Sequence, residues 1–422
     1  MKKLLLIVLA LSAVLSASGQ NAKEEIFADI DKAGGLYFAY PGPQSVQTPA
    51  PKGFKPFYIS HFGRHGSRWN TADWVYTDLI KTFKAAEAAG ALSPVGKEVL
   101  KKVEALWEDA DGRMEELTSL GAEQHRGVAD RMYTSFPEVF KGKAHVTANS
   151  TTSTRVMMSM FAFCDELLTH NPELDLDVNA SRRDEAFVAN RTKESREYAH
   201  SQKWLDDAEA FNAKHIHPER MMSTLFCDRD YVKENVDAVT TLVYLYDAAT
   251  IIQNCPTVSS IDLYGIFDKQ ELYDLWLCRN YEYYAGKGPG NPAAGDTLLR
   301  SAVPMLKHII NTADEVITSG RNAATLRFSH DSYLVPLATC LQLDGCNKRE
   351  ADPEKYCEAF INYKVSPMCG NIQLVFFRNR KGEVIVKFLL NENETGIPVE
   401  TDIFPYYRWD DVKKYYSNAY GL

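Results

Sequence analysis

The sequence predicts an α/β protein that carries a mainly helical insertion, and three observations lead there. β-favouring runs alternate with helical periodicity over residues 54–180 and again after residue 296. Between them, residues 183–295 hold tyrosines, tryptophans and many charges at helical spacing, with few strand signals. That middle segment closes on GKGPGNPAAGD (286–296), a Gly/Pro loop that punctuates strongly. The expected division is an α/β core from 20–182 and 296–422, a helical cap from 183–295, and a leader at 1–19.

The leader reads as a secretory signal. Lys2 and Lys3 form its basic start, Leu4 to Leu15 its apolar stretch, and Ala17-Ser18-Gly19 a cleavage site before Gln20. The apolar run of roughly a dozen residues is too short to span a bilayer, so no span is expected after cleavage. Export follows, with the periplasm as the first choice over cell surface or medium.

The first strand is expected at Phe54 to Ser60, aromatic and β-favouring and bounded by Pro51, Gly53 and Pro56. Residues 73–134 read as several helices, separated near Gly90 and Ser119-Leu120-Gly121. KAHVTANS (143–150) is a second strand, followed by an amphipathic helix from Thr151 to His170 that opens on capping hydroxyls. LDLDVNA (174–180) is a third strand. Beyond the insertion come a helix over 297–318, the strand ATLRFS (324–329), a helix from Asp331 to Leu343, and a hairpin over 371–391 turning at Asn379 to Gly382.

Composition narrows the function. Asp plus Glu (56) exceed Lys plus Arg (47), for a net charge of −9, so a nucleic-acid partner is not expected and an anionic substrate needs a local cationic cluster. All eight cysteines lie after the leader. An oxidising compartment would permit disulfides, with Cys340–Cys346 and Cys357–Cys369 the first pairs to test, while runs such as FAFC and LWLC suit buried thiols equally well. No CxxC, HExxH or tight Cys/His group appears, which leaves a zinc site without support.

Three clusters fall at expected strand ends, where α/β sheets bind ligands. Arg64-His65-Gly66-Ser67-Arg68 sets a histidine between two guanidinium forks suited to phosphate or carboxylate oxygens. Cationic surroundings favour neutral imidazole, the nucleophilic or basic form. His330-Asp331 offers a carboxyl group beside a second histidine. It could act as a general acid or simply as a helix cap, and its surroundings would tend to keep it ionised. Arg155 follows the second strand.

Together these pieces resemble the histidine acid phosphatase family, which includes phytases and inositol polyphosphate phosphatases. The landmarks are Arg64 to Arg68, then Leu117-Thr118-Ser119-Leu120-Gly121 continuing to Gly127 and Arg131, then Arg155 with Ser159, then His330-Asp331 with a hairpin beyond. The resemblance implies a phosphoglycerate-mutase-like three-layer α/β core with an inserted cap. It further implies His65 as nucleophile through a phosphohistidine, Asp331 as proton donor, and Arg64, Arg68, Arg155 and His330 as phosphate ligands. No metal or cofactor is implied, and the partner is a small phosphomonoester.

There are departures. Trp69-Asn70 follow Arg68 where the family usually has proline two residues on, no lysine follows as in many bacterial phytases, and His330-Asp331 stands where animal-type inositol polyphosphate phosphatases read His-Ala-Glu. The substrate therefore stays open between inositol phosphates and a broad range of esters, and extra Lys or Arg in the cap facing the arginines would favour the former. Two alternatives are a phosphate-ligand binding protein without turnover and a phosphotransferase of the same superfamily.

Five further features receive plainer expectations. His215-Ile216-His217 reads as polar surface rather than metal site, and His61 as packed or hydrogen-bonded. His125 could line the pocket. SRRDEAF and NRTKESREY read as solvated mixed-charge faces, and YEYY (281–284) as packing between helices.

Overall fold

Strand β1 (Lys55–Arg64) is buried on both faces from Tyr58 onward, with Tyr58, Ile59 and Phe62 packed apolar and Ser60, His61 and Arg64 buried among them. The other strands are β2 (His145–Ser150), β3 (Asp175–Ala180), β4 (Ala324–Ser329), β5 (Asn371–Arg378), β6 (Val384–Leu390), β7 (Asn393–Glu394) and β8 (Tyr406–Arg408). In the computed structural model, which describes residues 22–290, 292–321 and 323–422, they form one sheet in the order β3-β2-β4-β1-β5-β6-β7, with β8 on β6. The pairs β3–β2, β2–β4 and β4–β1 are parallel, and β1–β5 and β5–β6 are antiparallel. The leader expected at 1–19 lies outside the described residues.

Helices of ten residues or more are α1 (Trp74–Ala88), α2 (Pro94–Ala110), α3 (Ser119–Ser135), α4 (Thr154–His170), α5 (Gln202–His215), α6 (Ala238–Ile251), α7 (Lys269–Gly286), α8 (Val303–Ser319), α9 (Asp331–Cys340) and α10 (Trp409–Tyr420). Period-two alternation along β1 sends Ile59 to one core and Tyr58 and Phe62 to the other. Ile59 packs with Val128 and Met132 of α3 and Val156, Met160 and Phe163 of α4. Tyr58 and Phe62 share a core with Leu306 and Ile309 of α8 and Leu334 and Leu337 of α9. Helices on both faces of the sheet make three layers, as expected.

Several boundaries differ from the sequence expectation. β1 runs on to Arg64, so the cationic motif begins inside the strand. The helix expected over 297–318 is two, a short turn at Thr297–Arg300 and then α8, whose start is set by Pro304. The C-terminal helix α10 was not expected at all; it buries Trp409, Val412 and Tyr416 at i, i+3 and i+7. All eight cysteines are free thiols, including both pairs singled out for disulfides. Burial pushes Cys340 and Cys346 each up to about 12, which keeps them protonated and inert.

Among the described residues of 183–290 there is no strand. The chain before β2 also joins this helical side: Ser93 N–H donates to Leu225 O at 2.9 Å and Cys227 N–H to Ala91 O at 2.8 Å, tying the α1–α2 hairpin to it.

Beneath β1 lies a device with a consequence for stability. His61 packs between Phe163 and Phe328 with ring centroids at 5.2 and 5.3 Å, as the packed expectation had it. Burial pushes His61 and His125 each down to about 3, and His308 likewise to about 3. The unfolded chain binds these protons near pH 6.5 while the folded chain does not, so stability falls as pH drops from 6.5 toward 3. Each ring contributes up to about 1.4 kcal/mol per pH unit in that window. Urea midpoints taken between pH 7 and pH 4.5 should therefore decline steeply, and a flat profile would contradict neutral burial of these rings.

Candidate active site

The register of the parallel strands sets three loop starts level. Arg64 of β1 faces Ser329 of β4, and Phe328 faces Ser150 of β2. His65, His330 and the first turn of α4 carrying Arg155 therefore emerge side by side from the same end of the sheet. The structure brings all six expected residues together there. The His65 and His330 rings stand 5.5 Å apart, Arg64 Nη2 lies 3.5 Å from Asp331 Oδ1, and Arg155 Nη2 lies 3.4 Å from His330 Nδ1.

His65 is fixed by its backbone and its ring. Its N–H donates to Ser329 O at 3.0 Å, and its carbonyl accepts from Cys369 N–H at 2.9 Å. Its Nδ1 sits 2.9 Å from Gly66 O. A carbonyl can only accept, so Nδ1 carries the proton and Nε2 keeps its lone pair. Burial, then Arg64, Arg68, His330 and Arg155, hold the imidazole well below its usual pKa, so this neutral form persists into acid.

Gly66 is required by close approach, with no need for positive φ. A Cβ there would lie 2.3 Å from Gly121 O, and one on Gly121 would lie 2.2 Å from Ser67 O. The two glycines let α3 press against the His65 loop, which explains physically why a "LT..G" stretch accompanies the first motif. Thr118 N–H donates to Ser67 O at 2.9 Å, and Ser67 N–H donates to Gln124 Oε1 at 2.9 Å. Ser159, one turn after Arg155, accepts from Gly66 N–H at 3.1 Å while donating to Arg155 O at 2.8 Å. The departure at 69–70 has a packing answer: Trp69 is fully buried with Arg113 over its ring at 5.6 Å, and Asn70 donates to Tyr76 Oη at 3.0 Å.

The three arginines are held differently. Arg64 is buried and commits Nη1 to Leu36 O and Ser366 O, both at 2.7 Å, so part of its fork ties the loop down. Arg68 donates Nη1 to Trp69 O at 2.6 Å and covers the Tyr37 ring at 5.3 Å. Arg155 donates Nη1 to Glu115 Oε2 at 2.7 Å. In each of the three, Nε is buried and lacks a hydrogen-bond partner among the described residues. Three guanidiniums crowd one imidazole, a cationic setting suited to an oxyanion.

At the β4–α9 junction, His330 Nδ1 faces Arg155 and its Nε2 lies 3.3 Å from Thr151 Oγ1. Burial and Arg155 push this ring down to about 4. Burial would raise the Asp331 carboxyl, but Arg64, Lys287 and the Tyr283 hydroxyl outweigh it and hold the group well below the usual range. Tyr283 donates to Asp331 Oδ2 at 2.6 Å. That corrects the expectation for YEYY: Tyr281 packs on Phe211, whereas Tyr283 reaches the site from α7. Lys287 lies over the Tyr283 ring at 5.3 Å.

A cavity of ≈ 700 Å³ opens beside Arg155 and His330. Thr151 to Thr154 and Tyr333 line it, with Glu115, Glu116 and Glu185 on its rim. From the segment read as a solvated face, Arg191 lies over the Tyr333 ring at 5.2 Å. His125 is buried against Phe328 and is not among the cavity residues, and His215 pairs with Glu354 at 3.2 Å. Asp130, Glu166 and His170 place three ligating atoms within 4.8 Å of one another, at the opposite end of α4 from Arg155. The described residues include no helix long and apolar enough to cross a membrane.

Residues 63–391 match the model of the histidine phosphatase superfamily (branch 2). The chain belongs to this family. As a branch 2 member it is a histidine-type phosphatase. Solved structures agree in fold. A multiple inositol polyphosphate phosphatase from Bifidobacterium longum, in complex with inositol hexasulfate, is 18% identical with a TM-score of 0.69, covering 90% of this chain and 97% of that one. The phytase from D. castellii is 14% identical with a TM-score of 0.62 over 92% and 85%. A Hafnia alvei phytase bound to myo-inositol hexakis sulphate is 13% identical with a TM-score of 0.55 over 87% and 98%. No curated protein matches the chain.

Proposed function

We propose that this branch 2 phosphatase is an exported, metal-independent phosphomonoesterase that works in acid through a phosphohistidine on His65 and accepts inositol phosphates. The observation that carries the mechanism is the His65 ring: protonated at Nδ1 by its bond to Gly66 O, neutral, and surrounded by Arg64, Arg68 and Arg155. In the first step the Nε2 lone pair forms a bond to phosphorus and the ester P–O bond breaks. The arginines neutralise the equatorial oxygens, where phosphoryl transfer concentrates charge. The leaving alkoxide takes a proton from Asp331. Oδ2 already accepts from Tyr283, so Oδ1 is the oxygen that carries the transferable proton. The arriving phosphate draws on Arg64 and adds negative charge beside Asp331, which raises the carboxyl toward protonation. In the second step Asp331 takes a proton from water, oxygen bonds to phosphorus, and the P–N bond breaks to release phosphate.

Export rests on the leader, and inositol phosphates are supported by Arg191 and Lys287 reaching toward the site from the helical segment. The purified chain, in EDTA at mildly acidic pH, should release phosphate from an aryl phosphate and from inositol hexakisphosphate. Loss of release on chelation, restored by a divalent ion, would overturn metal independence. Binding without release from either ester would favour a phosphate-binding protein, and transfer to an added alcohol in place of water would favour a phosphotransferase.

A further inference from the structure

The wall beside Arg155 is acidic, and one of its carboxylates is built in at a cost. Glu115 has φ of 66°, a left-handed conformation that non-glycine residues rarely adopt. It is held there from the neighbouring loop. Glu115 N–H donates to Asn70 O at 2.8 Å, Trp69 N–H donates to Glu116 O at 3.1 Å, and Arg68 bridges to Leu117. The 115–117 segment is thus stapled to the strand-end motif itself. Its carboxylate meets Arg155 Nη1 at 2.7 Å while remaining 49% exposed at the cavity rim. Burial and Arg68 lower the Arg155 guanidinium and Glu115 raises it, so this carboxylate offsets the crowding of like charges in the cradle.

The same rim carries Glu116 and Glu185, and Glu185 Oε1 accepts from Thr152 Oγ1 at 2.8 Å. Arg191 and Lys287 instead stand against Tyr333 and Tyr283. The site therefore presents carboxylates and threonine hydroxyls at Arg155, and cations near Tyr333 and Asp331.

We propose that Glu115 is a specificity-determining residue that selects phosphomonoesters of partly phosphorylated polyols over fully phosphorylated ones. The inference rests on the phosphatase reading above and deepens it. One phosphate in the cradle neutralises the arginines and leaves Glu115 facing an anion. A second phosphate on the same side would meet Glu115 and Glu185 at close range, whereas an unsubstituted ring hydroxyl can donate to them. The substrate places its free hydroxyls on the glutamate side and any further phosphates toward Arg191 and Lys287.

The test is equilibrium binding, which does not require turnover. Inorganic phosphate and myo-inositol hexakissulfate are titrated calorimetrically into the wild-type chain and Glu115→Gln, at fixed low salt and neutral pH. The amide keeps the shape and removes the charge. Phosphate should bind no more than about threefold more tightly, and the hexakissulfate about tenfold or more, so the ratio of the two affinities shifts toward the polyanion. If Glu115 only orients Arg155, both ligands weaken together and the ratio stays put; that result in a folded variant overturns the proposal. Should Glu115→Gln fail to fold, Glu185→Gln carries the same prediction in a smaller step, and an unchanged ratio there overturns it as well. Failure of the wild-type chain to bind either ligand would instead sink the phosphatase reading of the pocket.

Discussion

Replacing His65 with alanine should lower kcat for phosphate release by about 10⁴-fold or more while the chain still folds and binds phosphate. The ring fills a buried position, yet its structural ties run through the backbone: its N–H to Ser329 and its carbonyl to Cys369 survive the substitution. The guanidiniums of Arg64, Arg68 and Arg155, whose charges bear on the site, also survive. Binding energy and catalysis are thereby separable at this one residue. Steady-state release from an aryl phosphate, paired with calorimetric phosphate binding, checks both halves. Activity within about tenfold of wild type would mean another residue attacks phosphorus.

Replacing Asp331 with asparagine should cost about 10²- to 10⁴-fold, and the cost should depend on the leaving group. An alkyl ester leaves as a strong base and needs the proton, whereas a nitrophenyl ester leaves as a weak one. The loss should be largest for the first and smallest for the second, which a merely structural defect would not produce. Tyr283→Phe gives a second handle on the same carboxyl. The hydroxyl stabilises the ionised form, so its removal raises the Asp331 pKa and keeps the acid protonated to higher pH. The alkaline limb of the kcat profile should then move upward in the phenylalanine variant. A limb that stays in place would show that Asp331 is not the group being titrated.

The sheet and the strand-end cluster were legible because each rested on a local signal. β1, β4 and β5 are short runs rich in apolar and β-favouring residues, and the Arg64 to Arg68 motif begins at the last residue of the first. Arg155 was legible only by its shared strand-end position and then through the resemblance, since an arginine in a first helical turn is ordinarily a surface residue. Tyr283 was not legible. Its spacing in α7 matches the packing tyrosines on either side, and its role is created when α7 meets the β4–α9 junction. Glu115 was also silent, because a glutamate at positive φ leaves no mark in sequence where a glycine or asparagine would. The free thiols show the same limit in reverse: even count and spacing permit a bridge, and only the fold decides whether two sulfurs meet.

A phosphoryl group on His65 is the centre of the account, and trapping it tests the account most directly. The wild-type chain is mixed with an aryl phosphate, quenched in alkali within the first turnover, and digested for mass analysis of the peptide containing residues 64–68. The account predicts a stoichiometric phosphoryl group on His65 that is lost in acid and never forms in His65→Ala. A burst of alcohol without protein-bound phosphate, or a phosphoryl group on any other residue, would contradict it.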